Sequence, residues 1–433
     1  MRLLLLIAVG IVLLSTARAA APRLRLSDGR PVLAVYYFGH WWDPWKSDDD
    51  AIRRDFARLR AMGVTVIFCD HEWSQAIDGD WRWLDREHRL AKEAGLVIVP
   101  WLSLKVFCDV EPGGRQELAK KWYGVDLVYG CDQTGKVTVP LPYHPATAEF
   151  AVKWTKAYVD RYRDSGALAR VKLGDREGIW VAPTVEIGWP GPGSFDGQTG
   201  LMFARWLRTK YGAVARLNQA WSTAYQSWWN IDQRDAEVFD YKSAPGHEKH
   251  PQAVADRTAF CSELLGDGLS RMSAEIRRAV PHVIIGSETP YQIGAQHPDA
   301  ISYTREFCAA AVADDHAEIL VVRATDILTP AELKLQDEYR ARGHAVVLTF
   351  RTYGNTYSTD NPDPGLDRTA FARTLASQAA GHADGLGFYS WNELVDTHVA
   401  AGAGGRADVR MSDEQSARAV DLLKAAFADY LRP

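Results

Sequence analysis

Short apolar runs of strand length recur along the chain, separated by segments whose apolar residues repeat at helical spacing. The runs are "PVLAVYYFG" (31–39), "VTVIFCD" (64–70), "GLVIVPWLSL" (95–104) and "GIWVAPTVEIG" (178–188). They continue with "HVIIGSE" (282–288), "AEILVVRATD" (317–326), "HAVVLTFRTYG" (344–354) and "ADGLGFYSWNE" (383–393). Most are continuous in Val, Ile and Leu rather than alternating, which predicts strands covered on both faces, as in a parallel sheet. Between them, "DDDAIRRDFARLRAMG" (48–63) begins with acids, carries apolar residues at helical spacing and stops at a glycine. The segments 81–95, 329–343 and 367–385 follow the same design, and "SDEQSARAVDLLKAAFADYL" supplies a last helix.

Strand, helix, glycine, strand, repeated around eight runs, predicts an α/β fold of the (β/α)8 TIM-barrel type, with the last helix closing the ring. An open doubly wound sheet is the structural alternative. Two connections are long, from about 105 to 177 and from about 189 to 281. In a barrel these are insertions after strands 3 and 4, at the C-terminal face where barrel active sites are built. No Pro-, Gly- or Ser-rich linker divides the chain.

The first twenty residues follow a different pattern. "MRLLLLIAVGIVLLSTARAA" opens with one basic residue, Arg2, followed by an apolar run and an A-x-A site at Ala17–Ala19, the form of a cleaved secretory signal. The run is short for a membrane span. We therefore expect a signal peptide at 1–20 and a single barrel domain at 21–433, exported to a periplasmic or extracellular space. Export permits disulfides. Of the five cysteines, Cys108 and Cys131 flank a polar excursion and are expected to pair, while Cys69 sits in an apolar run as a buried free thiol.

Polar residues collect where the runs finish. The first ends in His40, Trp41, Trp42 and Asp43, and the second in Asp70, His71, Glu72 and Trp73. The fourth delivers Glu186 and then Trp189, and the fifth Glu288 and then Tyr291. Arg323 and Asp326 end the sixth, Arg351 and Tyr353 the seventh, and Trp391, Asn392, Glu393 and Asp396 the eighth. Any of these acids has a plain structural reading, as a helix cap or the partner of an arginine. Glu186 and Glu393 fit that reading least, because each directly follows an apolar strand and has a tryptophan nearby. Two carboxylates facing one another across a mouth suit glycosidic-bond cleavage, in which one protonates the leaving oxygen and the other acts as nucleophile or base.

Composition sharpens this in one respect. The 433 residues carry a net charge of −5, with no concentrated basic face of the kind nucleic acid requires. The 16 Trp and 17 Tyr cluster in loop-like stretches, where flat faces with polar edges suit a sugar ring. No metal-ligand spacing occurs among Cys and His, G-x-S-x-G is absent, and no metal or cofactor is expected. Oligomeric state is not legible.

Several motifs resemble glycoside hydrolase families. "AVYYFGHWWDPW" and "SWNELVDTH" resemble families 99 and 71, which open on a Tyr-rich strand. The family 99 motif Asn-Glu-x-x-Glu matches Asn392, Glu393 and Asp396, with Asp in place of the second acid. "FARWLRTKYGAVARLNQAWSTAYQSWWNI" (203–231) resembles the segment after strand 4 of family 42 β-galactosidases. There the acid/base Glu lies just upstream; Glu186 matches it, but Val185 stands where that family has Asn, and the seventh run holds no acid for its nucleophile. The resemblances imply a sugar-cleaving barrel and differ over which pair cuts. One assignment makes Glu186 the acid and Glu393 the base or nucleophile; the other pairs Glu393 with Asp396. Trp41, Trp42, Asp70, Glu72, Trp189, Glu288, Tyr291, Arg351, Tyr353, Trp391 and Asn392 would then bind substrate. A glycan-binding barrel without catalysis and a polysaccharide lyase are the competing classes.

Overall fold

A computed structural model describes residues 24–39, 47–104, 112–184, 194–239, 248–288, 317–324, 327–351, 368–392 and 413–432. Every predicted run forms a strand: β2 (Val32–Tyr36), β3 (Val66–Asp70), β4 (Val97–Ser103), β8 (Arg176–Thr184), β9 (Val283–Glu288), β10 (Ile319–Ala324), β11 (Ala345–Arg351) and β12 (Gly385–Tyr389). They pair in parallel in the order β2-β3-β4-β8-β9-β10-β11-β12, and β12 returns to β2, so the sheet closes on itself. This is the eight-stranded barrel, and the open-sheet alternative falls.

The strands are continuous apolar runs because both their faces are buried. One face turns inward: Val32, Ala34, Tyr36, Val66, Phe68, Val99, Trp101, Trp180, Ala182, Ile284, Ile319, Val321, Ala345 and Val347 pack as one cluster. The other turns to the surrounding helices, where Leu33, Val35, Ile67, Cys69, Ile98, Val181, Ile285, Val346 and Leu386 join a second, larger core. Such an interior is packed side chain, not a pore. Space for its indoles comes from glycine: a Cβ at Gly286 would lie 2.3 Å from Trp180 Nε1.

The predicted helices form as α1 (Asp49–Ala61), α2 (Arg82–Ala94), α8 (Pro330–Ala341), α9 (Arg368–His382) and α10 (Asp413–Tyr430), counting α3 to α7 in the two long connections. Local chemistry sets their ends. Asp48 caps α1 through its side chain, Thr329 and Glu332 close a capping box on α8, and Gly95 ends α2 at φ 71°, a left-handed conformation that suits glycine. The connection from β4 to β8 carries α3 (Pro112–Tyr123), the hairpin β5 (Tyr129–Cys131) and β6 (Val137–Pro140), α4 (Pro145–Tyr162) and β7 (Arg170–Leu173). The connection from β8 to β9 carries α5 (Gly197–Tyr211), α6 (Val214–Trp221) and α7 (Pro251–Ala279). Helices α5 to α7 enclose a small core of their own, with Phe203, Leu207, Leu217, Trp221, Phe239 and Phe260.

Two features were not anticipated from the pattern. β1 (Leu24–Leu26) pairs antiparallel with β7, and β7 with the start of β8. Leu24, Leu26 and Val171 thereby join the interior cluster and stop the N-terminal end of the barrel. Runs of three and four residues carry too little periodicity to be read as strands. Of the expected Cys108–Cys131 pair, Cys108 lies outside the described residues, while Cys131 is described as a free thiol 3.7 Å from Arg234 Nη2. Cys69 is a buried free thiol, as expected.

Candidate active site

Because alternate residues of a strand face opposite ways, the barrel mouth is built from the last inward position of each strand. On β3 that residue is Asp70, which follows inward Val66 and Phe68 and stands in register with Trp101 of β4. It is half-buried. On β2 the inward series ends at Tyr36 and Phe38, and on β12 it brings Tyr389 against them.

These rings form a continuous aromatic floor beneath the mouth. Tyr36 stacks on Trp101 with centroids 5.9 Å apart and planes 10° from parallel. Its edge contacts Phe68 and Tyr389, each at 5.0 Å, and Phe38 meets Tyr389 at 5.5 Å. Trp180 closes the layer below, 5.6 Å from Phe68. The buried indole N–H of Trp101 has no hydrogen-bond partner among the described residues. A buried donor without a partner costs about 1–3 kcal/mol unless water or a ligand accepts from it.

Asn392 joins the two ends of the barrel seam. Its Oδ1 accepts the backbone N–H of Phe38 at 2.7 Å, tying the end of β12 to the end of β2. The residue is fully buried, and its Nδ2 donates to no group among the described residues. The amide is thus half committed to the fold, and the uncommitted half belongs to the same end of the barrel as the aromatic floor.

The remaining expected site residues divide plainly. Glu72 is buried beside its own turn, where Ser74 Oγ donates to its Oε2 at 3.0 Å and its backbone N–H reaches Gln75. Trp391 is fully buried in the outer core between strands and helices, so its ring offers no free face for stacking. Glu288 ends β9 opposite Val321, and Arg351 ends β11 opposite Tyr389; for both, the backbone alone is described. Trp41, Trp42, Glu186, Trp189, Tyr291, Tyr353, Glu393 and Asp396 lie outside the described residues. β8 is described to Thr184, in register with Ser103 of β4, and the turn after β12 to Asn392.

Tyr36, Phe38, Trp101 and Tyr389 were missed by reading only the residues that follow each run. The signal was present: they occupy alternate positions inside "VYYF", "PWLS" and "GFY", the parity that faces the lumen. His71, next to Asp70, faces the other way and belongs to a buried network behind the strand.

No established family profile matches the chain. Its fold does have relatives among solved structures. The catalytic domain of a β-amylase from Paenibacillus polymyxa superposes with a TM-score of 0.59 at 16% identity, over 93% of this chain and 99% of that one. A β-galactosidase from the haloarchaeon Halorubrum lacusprofundi gives 0.57 at 16%, over 92% of this chain and 58% of that one. An exo-β-agarase gives 0.52 at 12%, over 90% and 48%. The chain thus spans little more than half of the β-galactosidase and about half of the agarase. At these identities the likeness is one of fold: a closed parallel barrel of the kind these three proteins share.

Proposed function

We propose that the protein is an exported glycoside hydrolase that cuts an oligo- or polysaccharide at the C-terminal mouth of its barrel. The observation that carries this reading is the order of the strands. β8 and β12 are fourth neighbours in an eight-strand ring, so they stand opposite one another whichever way the ring is followed. Glu186 comes two residues after the described end of β8, and Glu393 one residue after Asn392. Our reading makes Glu186 the general acid and Glu393 the base or nucleophile, across a mouth floored by Tyr36, Trp101 and Tyr389. Asp70 then holds a sugar hydroxyl, and Asn392 Nδ2 and Trp101 Nε1 donate to others. Trp41, Trp42, Trp189, Tyr291, Tyr353, Glu288 and Arg351 complete the proposed binding surface. That the fold relatives are named as a β-amylase, a β-galactosidase and an agarase supports carbohydrate as the substrate class.

An acid at such a site needs a raised pKa, which an apolar aromatic wall supplies by desolvation. A separation near 5 Å between the carboxyls would make the enzyme retaining, and about 6.5–9.5 Å inverting. A second reading, in which Glu393 and Asp396 do the chemistry, follows from the Asn-Glu-x-x-Asp motif.

Mature protein assayed on polysaccharides and aryl glycosides separates these readings. Glu186→Gln and Glu393→Gln are each expected to lower turnover by about 10²–10⁴ while leaving the melting temperature in place. Loss in Asp396→Asn equal to that in Glu393→Gln, with Glu186→Gln active, moves the chemistry to the second pair. Glycan binding without any new reducing ends overturns the enzyme. A product absorbing in the ultraviolet makes it a lyase instead.

A further inference from the structure

We propose that Cys69, His71 and Glu87 form a structural site for a divalent cation of the zinc type, buried behind β3 and separate from the barrel mouth. Cys69 and His71 are two residues apart on extended chain, so both side chains leave the barrel on its outer face. Glu87 comes toward them from the buried face of α2, beside Leu84, Leu90 and Ala91. Their donor atoms, one from each residue, all lie within 4.8 Å of one another, and all three residues are buried. Among the described residues this is the group of His, Cys, Asp and Glu gathered closely enough to hold an ion.

The donor set fits the ion class. One sulfur, one imidazole nitrogen and one carboxylate oxygen supply three of the four ligands a tetrahedral zinc takes, the fourth position falling to a water, whereas Ca²⁺ and Mg²⁺ want oxygen. Charge fits as well. A thiolate and a carboxylate carry two negative charges, which a divalent ion cancels, and burial of a neutral cluster avoids the cost of an isolated charge. Without the ion, protons do this work. His71 Nε2 lies 2.6 Å from Glu87 Oε2, with a proton between them, and burial pushes the Cys69 thiol up, so it keeps its proton. Binding replaces both: two protons leave to solvent for each ion taken up, and no redox change is involved. With zinc–ligand bonds near 2.0 Å in a tetrahedron, the Nε2–Oε2 separation opens to roughly 3.3 Å.

The support behind the ligands is already in place. His71 Nδ1 bonds to Tyr158 Oη at 2.5 Å, and Tyr158 Oη in turn to His88 Nε2 at 2.7 Å. A metal-bound histidine is usually held this way through its other ring nitrogen, which fixes its tautomer and ring plane. The backbone of Gly39 covers the cluster so closely that a Cβ there would stand 3.2 Å from Glu87 Oε1 and 2.7 Å from Tyr37. A site this enclosed loads as the chain folds. No metal was expected because Cys and His show no metal-ligand spacing along the chain; the third ligand lies 16 residues beyond His71 and meets it through the fold.

Protein produced in Zn²⁺- or Co²⁺-supplemented medium tests this directly. Elemental analysis of the zinc form should find about one ion per chain, as a site with a single ligand set requires. The cobalt form should show the thiolate-to-cobalt charge-transfer band that only a Cys ligand produces. Cys69→Ser should lose that band, and Tyr158→Phe, which leaves every ligand intact, should weaken metal retention against a chelator by about tenfold. Metal content at the level of the buffer, with no cobalt band in wild type, overturns the proposal without reference to any variant. A cobalt band unchanged in Cys69→Ser overturns the ligand assignment. Neither result depends on glycosidase activity, so the failure of one reading leaves the other standing.

Discussion

The two ends of the barrel are built from the same residue types to opposite effect. At the N-terminal end, carboxylates are absorbed by the fold. Glu318, just before β10, accepts from Arg277 Nε at 3.0 Å and Nη2 at 2.9 Å, from Arg176 Nη2 at 3.1 Å and from the Ile285 N–H at 2.9 Å. Asp384, just before β12, accepts from the Val346 N–H at 3.0 Å and lies 3.4 Å from Arg340. At the C-terminal end, an indole N–H and half of an amide are buried with no partner among the described residues. One end spends its polar groups on joining strands to helices. On the function proposed above, the donors at the other end would serve a ligand, in line with the separation of stability and reaction faces in such barrels.

The contrast is broken most severely by weakening the closed end. Glu318→Gln keeps the shape but replaces a carboxylate that takes four hydrogen bonds, three of them from guanidinium groups. We expect a loss of about 1.5–3 kcal/mol of unfolding free energy, the range for hydrogen bonds to charged groups. Activity per folded molecule should be unchanged. Burial pushes the Glu318 carboxyl up, but the Arg277 guanidinium, the Ile285 N–H and Arg176 together hold it below the usual carboxylate value of 4.5. A depressed folded pKa gives stability that is present above the unfolded value and fades as pH falls through the folded one. The gap between wild type and Glu318→Gln should therefore be flat above about pH 4.5 and close on acidification below it. Denaturant titrations at several pH values check this; a gap that widens in acid would contradict the assignment.

An intermediate effect is expected at the seam of the mouth. Asn392→Ala removes the acceptor of the Phe38 N–H and leaves that buried donor unpaired, at about 1–3 kcal/mol. The same change deletes the uncommitted Nδ2. If the mouth is the reaction face, stability and catalytic efficiency should fall together here, unlike at Glu318. Thermal unfolding and kcat/KM on the same preparations make the comparison. Full activity in a destabilised Asn392→Ala would reduce Asn392 to a strand tie.

Much of this division could be read before any coordinates. The eight runs and five helices were legible because each strand is apolar on both faces and each helix carries an amphipathic repeat with a stop. Asp70 was legible as a strand-end acid. The roles of Glu72 and Trp391 were not, because a residue just past a strand can turn to either side, and that turn is settled by tertiary neighbours such as Ser74 and the outer core. The Cys69–His71–Glu87 cluster was invisible for a related reason: β3 and α2 meet only in the fold. Trp101 and Tyr36 were overlooked although period-two parity assigns them to the lumen, because a continuous apolar run hides which residues face inward.

The smallest effect tests whether burial, rather than geometry, makes the closed end strong. Asp85 of α2 and Arg161 of α4 form a two-pronged pair, Nε at 2.8 Å and Nη2 at 2.6 Å, with Tyr162 Oη adding a third bond at 2.8 Å. Arg161 first, and then Tyr162 against the opposing pull of burial, hold the Asp85 carboxyl below its ordinary value. The bonding thus rivals that of Glu318, yet the two side chains remain 43% and 42% exposed, against 13% for Glu318. Water competes for both partners and salt screens them, so a double-mutant cycle with Asp85→Asn and Arg161→Gln should return a coupling of only about 0.2–1 kcal/mol. It should shrink further in high salt. A coupling as large as the loss in Glu318→Gln would mean that hydrogen-bond geometry alone sets the strength of these ties, and the distinction drawn between the shell and the closed end of the barrel would have to be abandoned.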